Sequence, residues 1–265
     1  MNAIAKAFDK AKHENRAALV IYLCAGDPDL ESTAELIKVI AEAGADVIEL
    51  GVPFSDPTAD GEVIQRASER ALARGTTLGK IFSLVTGLRS EGLRTPILLF
   101  GYYNPLLAFG EKEAVAAAKK SGVDGFLVVD LPPDEENLLY KEAIANDLAV
   151  VPLVAPTSTE ERKQKAAELC NSFLYYVSVT GVTGAKTANL AEAAKNAAAL
   201  AKQYGKPVAV GFGIKTAADV KEVVKHADAV VVGSAIVSVI ETHTDKVERC
   251  SKVSALIKEL RNGLA

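Results

Sequence analysis

The chain has 265 residues, 49% of them hydrophobic, and carries 30 Lys and Arg against 34 Asp and Glu, a formal net charge of −4. That excludes a disordered segment and a small disulfide-stapled module, and the absence of any Lys/Arg-rich run speaks against nucleic acid or an anionic membrane surface as a partner. No apolar run approaches the roughly 18 residues a membrane helix needs.

The N-terminal segment MNAIAKAFDKAKHENRAALV has a charged helical pattern without the apolar stretch of a secretory signal. Beyond it, short apolar, β-branched runs alternate with longer Ala/Lys/Glu-rich ones. The former predict buried parallel strands at Leu19–Leu23, Val47–Gly51, Pro96–Phe100, Phe126–Asp130, Ala149–Val154, Phe173–Ser178, Pro207–Gly211 and Ala229–Gly233, eight in all. The latter predict helices, among them Leu30–Ala43, Glu62–Arg74, Leu78–Glu91, Glu111–Ser121, Asp134–Asn146, Ser158–Cys170, Asn189–Tyr204 and Thr216–His226. Ser32 or Thr33, Ser158 and Thr216 are the expected N-caps, and Gly44 and Gly122 the expected left-handed C-caps.

Eight strand–helix units fit either a closed (β/α)8 barrel or a doubly wound open sheet. The turn after the first strand, Cys24-Ala25-Gly26-Asp27-Pro28, lacks the G-x-G-x-x-G of an open dinucleotide fold. The expected fold is therefore α/β: one TIM-barrel domain over residues 1–265, with an extra N-terminal helix and a short helix after the eighth strand. Cys24, Cys170 and Cys250 are odd in number and unpaired in spacing, as expected for a reducing, cytoplasmic setting.

Glu49 lies inside the strand VIELG, where an ionisable group is costly to bury; it is either paired with a nearby base or functional. An apolar setting raises its proton affinity, which suits a group that both gives and takes a proton. Asp60 follows on the long loop before Glu62 and is either a turn or cap residue or the second member of a carboxylate pair. The three histidines, His13, His226 and His243, sit in or beside helices. No predicted strand holds a lysine, Lys186 and Lys215 fall in loops, and no cluster has metal-ligand spacing, so neither Schiff-base nor metal chemistry is expected. Three glycine signals follow the last three strands: Gly181-Val182-Thr183-Gly184, Gly211-Phe212-Gly213, and Gly233-Ser234 opening the short helix Ala235–Ile240. Barrel enzymes hold phosphate at this place, where backbone N–H groups at a helix start meet the oxygens.

Glu49–Gly61 (ELGVPFSDPTADG), Gly101–Gly110 (GYYNPLLAFG), Asp124–Glu135 (DGFLVVDLPPDE), Tyr176–Lys186 (YVSVTGVTGAK), Val210–Ile214 (VGFGI) and Val230–Val237 (VVVGSAIV) closely resemble the motifs of the tryptophan synthase α subunit family. The resemblance runs in order over nearly the whole chain. It implies a lyase that cleaves indole-3-glycerol phosphate to indole and glyceraldehyde 3-phosphate in tryptophan biosynthesis. By position it implies Glu49 as catalytic acid/base and Asp60 as the second carboxylate. Tyr22, Phe100, Tyr175, Thr183 and Phe212 would line the substrate pocket, and Gly184, Gly213, Gly233 and Ser234 the phosphate site. It further implies a β subunit that carries pyridoxal phosphate and receives indole in an α2β2 complex, with no cofactor in this chain. Pro53, Phe54, Asp56, Asn104, Pro105, Leu106 and Pro132 match the β-facing surface. Four positions depart from the common pattern: Tyr22 for Phe, Thr58 for Leu, Glu62 for Pro, and Val179 where many relatives carry Arg.

Overall fold

The first strand, β1 (Ala18–Cys24), is buried along its whole length, as are β2 (Val47–Gly51), β3 (Ile97–Gly101), β4 (Gly125–Val128), β8 (Val208–Gly211) and β9 (Ala229–Val232); β5 (Ala149–Val150), β6 (Leu153–Val154) and β7 (Leu174–Val177) complete the set. The computed structural model describes residues 1–265 except Glu136, residues 178–189, Phe212 and Ala265. All pairings are parallel, in the order β5-β4-β3-β2-β1-β9-β8-β7-β6.

The two ends of that order are consecutive in the chain. β5 and β6 are the halves of the predicted strand Ala149–Val154, broken at Val151-Pro152 because proline offers no N–H to a ladder. The break does not open the ring. Val151 N donates to Phe126 O on one side at 3.0 Å, and Pro152 O accepts from Tyr175 N on the other at 3.0 Å. Among the described residues nine strands thus form the eight staves of a TIM barrel, one more strand than the sequence predicts.

The helices are α1 (Ala3–His13), α2 (Leu30–Ala43), α3 (Glu62–Ala73), α4 (Leu78–Ser90), α5 (Tyr103–Phe109), α6 (Glu111–Ser121), α7 (Leu138–Ala145), α8 (Glu160–Leu169), α9 (Leu190–Tyr204), α10 (Ala217–Val223), α11 (Ser234–Thr242) and α12 (Lys246–Arg261). Several predicted caps move. Asp29, not Ser32 or Thr33, caps α2, because a cap side chain must reach an N–H further along the first turn; Asp29 accepts from Ser32 N at 2.7 Å. Thr159 caps α8, while Ser158 accepts from Ala155 N. Asn137 caps α7, which starts four residues later than predicted at Leu138 rather than Asp134. Thr216 forms the expected capping box with Asp219, although α10 ends at Val223, short of His226. Gly44 and Gly122 take the expected left-handed conformation, at φ 102° and 87°.

Strand residues alternate between two apolar layers. Leu19, Ile21, Leu23, Ile48 and Leu50 face the helices, whereas Ala18, Val20, Tyr22, Val47, Leu98 and Phe100 fill the barrel. Helix α1 closes the N-terminal end, where Phe8 stacks on Phe173 with centroids 4.5 Å apart. At that same end four side-chain oxygens stitch the staves in successive pairs: Asp46 accepts from Leu19 N (2.8 Å), Asp124 from Ile97 N (2.8 Å), Asn171 from Val150 N (2.8 Å) and Asp228 from Val208 N (2.9 Å). Asp46 also holds Arg16, and Asp124 holds Arg89 at 2.7 Å. This end of the barrel is thereby committed to stability and leaves the opposite mouth for chemistry. Asp124→Ala, which removes the acceptor of the Ile97 amide and the carboxylate on Arg89 while Arg89 keeps the Gly122, Leu93 and Thr95 carbonyls, is expected to cost about 1–3 kcal/mol by urea unfolding; a loss below about 0.5 kcal/mol would show that the stitch carries no load.

Candidate active site

Residue alternation along β2 decides the direction of Glu49. Val47 faces the barrel interior, so Glu49, two residues on, does too, in register with Tyr22 on β1 and Leu98 on β3. Glu49 is 1% exposed, and its Oε1 has no hydrogen-bond partner among the described residues. Burial alone pushes its carboxyl up to about 8. Among the described residues no cation is placed to pair with it and hold it charged, and with its carboxyl at about 8 it keeps its proton at neutral pH.

Asp60 stands on the loop between β2 and α3. It does not cap α3; the N-cap is Gly61, with no side-chain bond to the helix. The Asp60 backbone is fixed by its N–H to Pro57 O at 3.0 Å and by Gln65 Nε2 to its carbonyl at 2.7 Å. Its side chain turns inward and is buried beside the Tyr102 hydroxyl. Burial raises the carboxyl to about 6, against the opposing pull of that hydroxyl. Of two neighbouring carboxyls, one is thus held mainly protonated and the other mainly ionised at neutral pH, the separation that assigns an acid and a partner base.

Aromatic walls complete the chamber. Tyr22 and Phe100 meet edge to face at 5.3 Å, and Tyr175 enters from β7. The charges of both Glu49 and Asp60 add to burial in raising the Tyr22 and Tyr175 hydroxyls, so both carboxyls lie within electrostatic range of both tyrosines. Gly51 and Gly211 are required beside them, because a methyl group on either would collide with the Tyr22 or Tyr175 hydroxyl.

On the other side of the mouth, α11 begins directly after β9. Gly233 is its N-cap with no side-chain cap bond, and no acidic residue lies in its first turn. Its leading N–H groups, beginning at Ser234, and the positive helix end are thus left for an anion. Gly233 packs against Tyr22, and Gly213 has φ 82° on the loop after β8. Thr183, Gly184, Val179 and Phe212 lie outside the described residues.

An ion network unforeseen in the sequence braces this arrangement. Buried Asp27 accepts two bonds from Arg70, at 2.7 and 2.9 Å, and Arg70 and Arg66 both hold Glu241, whose carboxyl falls to about 2. The turn after β1, α3 (next to Asp60) and α11 are thereby locked together. Tyr102 is the other unforeseen residue; its motif, GYYNP, was visible, but its partner lies 43 residues away in Ala59.

The tryptophan synthase alpha chain family model matches residues 8–264. Tryptophan synthase alpha chains of Geobacter sulfurreducens and Dechloromonas aromatica are 48% and 46% identical over 264 residues, covering 100% of this chain and 99% and 98% of theirs. The crystal structure of tryptophan synthase subunit alpha from Legionella pneumophila superposes with a TM-score of 0.90 at 36% identity, over 99% of this chain and 98% of that one. The chain belongs to the tryptophan synthase alpha chain family. Its reaction is the cleavage of indole-3-glycerol phosphate to indole and glyceraldehyde 3-phosphate, its partner is the tryptophan synthase beta chain, and pyridoxal phosphate resides on that partner. Among the described residues no helix is long and apolar enough to cross a membrane.

In this alpha chain the seven residues expected to face the beta chain all sit at the barrel mouth, but unequally. Ser55-Asp56 and Asn104 are exposed, Phe54, Pro105 and Pro132 partly so, whereas Pro53 is buried and Leu106 packs into the core. Leu107, 50% exposed, and Phe109, 39%, are the outward apolar side chains of α5. A cleft of about 420 Å³ runs between Pro53 on one side and Pro105 and Phe109 on the other.

The buried Glu49 ties stability to pH. Its carboxyl lies at about 8 in the folded chain against an ordinary 4.5, so the folded state keeps a proton that the unfolded chain releases. That contribution is complete below about 4.5 and is lost as pH rises through about 8. Glu49→Gln, a neutral isostere, is expected to match the parent's Tm at pH 5 and exceed it at pH 9; equal Tm differences at both pH values would refute the buried proton.

Proposed function

We propose that Glu49 and Asp60 carry the cleavage, within one barrel domain spanning residues 1–265. What supports it is a carboxyl with one oxygen unpartnered among the described residues and raised to about 8, beside one at about 6, both within electrostatic range of the same two tyrosines. Protonated Glu49 delivers its proton to indole C3, and positive charge develops on the ring nitrogen. The Asp60 carboxylate accepts a hydrogen bond from that N–H and stabilises the charge as it grows. The carboxylate now on Glu49 removes the proton of the glycerol hydroxyl adjacent to C3. The electron pair left on that oxygen forms the aldehyde C=O, the C–C bond breaks, and its electron pair restores the neutral indole. Glu49 ends protonated, ready for the next turnover.

Tyr22, Phe100 and Tyr175, together with Thr183 and Phe212, hold the indole. Gly213, Gly233, Ser234 and Gly184 take the phosphate, supported by the uncapped start of α11. The mouth surface carrying Pro53, Phe54, Asp56, Asn104, Pro105, Leu106 and Pro132 meets the beta chain in an α2β2 assembly in the cytoplasm, with exposed Leu107 and Phe109 beside it.

Glu49→Gln is expected to abolish indole release while leaving substrate binding intact by calorimetry; near-normal turnover would overturn the mechanism. Asp60→Asn is expected to lose at least ~10²-fold in kcat, the scale of a lost preorganised electrostatic partner, and a loss of only a few fold would reduce Asp60 to a loop residue. The pH profile of kcat/KM is expected to rise through about 6 as Asp60 ionises and to fall through about 8 as Glu49 loses its proton. Turnover by the alpha chain alone and with added beta chain separates a dependent subunit from a stand-alone lyase.

A further inference from the structure

Tyr102 is placed unlike the other tyrosines around the site. It follows β3, a stave of the barrel, is 3% exposed, and projects across to the irregular loop between β2 and α3. It grips that loop at two places. Its ring lies 5.2 Å from Phe54, tilted by 33°, and its hydroxyl oxygen is 3.0 Å from Ala59 N. The Ala59 amide can only donate, so the hydroxyl oxygen accepts there. The one phenolic proton is thereby left free on a hydroxyl that neighbours the Asp60 carboxyl, and each group shifts the other. The amide bond fixes which way that hydroxyl can donate.

We propose that Tyr102 is a positioning residue for the cleavage reaction, its hydroxyl locked by the Ala59 amide so that it donates to one Asp60 oxygen and leaves the other aimed at the substrate's ring N–H. The inference rests on the reading of Asp60 as the charge-stabilising carboxylate. It has two physical parts. Asp60 belongs to a loop without regular structure, whereas Tyr102 is anchored on the barrel, so the bond transfers the barrel's rigidity to a side chain that must be in place before charge develops. The bond also favours the ionised form of a carboxyl that burial pushes the other way. A protonated Asp60 loses the negative charge that stabilises the ring cation. Because a tyrosine hydroxyl carries one proton, the arrangement serves one carboxylate oxygen only, and substrate does not have to displace it.

The test is Tyr102→Phe, which keeps the ring against Phe54 and removes only the hydroxyl. It is assayed for indole release from indole-3-glycerol phosphate by the full chain in complex with its beta partner. The expected result is a fall in kcat of about 10- to 100-fold, the range corresponding to a lost hydrogen bond to a charged group. KM should change little, and the acid limb of the pH–rate profile should move up by about one unit. In an Asp60→Asn background the same substitution should add almost nothing, because the effect runs through Asp60. A Tyr102→Phe enzyme with unchanged kcat and acid limb, beside a crippled Asp60→Asn enzyme, overturns the role of Tyr102 and leaves that of Asp60 standing. Full additivity of the two losses also overturns it, by showing that the hydroxyl acts elsewhere. An unimpaired Asp60→Asn enzyme removes the premise itself. A change confined to Tm, with kinetics intact, marks Tyr102 as packing alone.

Discussion

The desolvation of one carboxyl, Glu49, is the constraint around which this structure is arranged. A carboxylate buried among apolar neighbours without a cation is so costly that the group keeps its proton instead. That condition holds only while the barrel is closed around it. Tyr22 and Leu98 flank it in register, and the staves stay paired across the proline break in the fifth. The chemistry follows from the cost: a carboxyl that resists ionisation is the one able to act as a proton donor near neutral pH and to recover its proton at the end of the cycle.

The two ends of the barrel divide the labour. Four Asx side chains at the closed end pair the staves and leave little freedom there. At the mouth, side chains are held instead by long-range ties. Arg70 joins Asp27 to Glu241, so the anion-receptive start of α11 moves as one body with α3 and the turn after β1. Tyr102 joins β3 to the loop of Asp60. The substrate's two ends, ring and phosphate, are thereby addressed by elements fixed to one another, as orientation-dependent catalysis requires.

Most of the fold was legible because its signals are local. Each stave is an apolar β-branched run, α2 and α6 have the bounds the pattern predicts, and a lone Glu inside VIELG is conspicuous for its cost. The caps were less legible, since Asp29, Ser32 and Thr33 are chemically equivalent candidates and only the backbone angles at Asp29 decide among them. The break in the fifth stave was written as Pro152, but whether a proline ends a strand or is bridged depends on carbonyls and amides from β4 and β7. Asp60 was the weakest reading from residues alone, and the reason is clear: what distinguishes it from a cap is Tyr102, distant in sequence. The same holds for Arg70 and Glu241, separated by 171 residues. Tertiary partners of this kind leave no periodic trace.

The protonation of Glu49 in the resting protein decides the chemistry at the barrel mouth. Carbon-13 NMR of side-chain-labelled glutamate, with the Glu49 signal assigned by its loss in Glu49→Gln, reads this directly in the free chain. The expected result is a carboxyl that stays protonated through neutrality and titrates near 8. A signal that has already ionised near the ordinary 4.5 would contradict it.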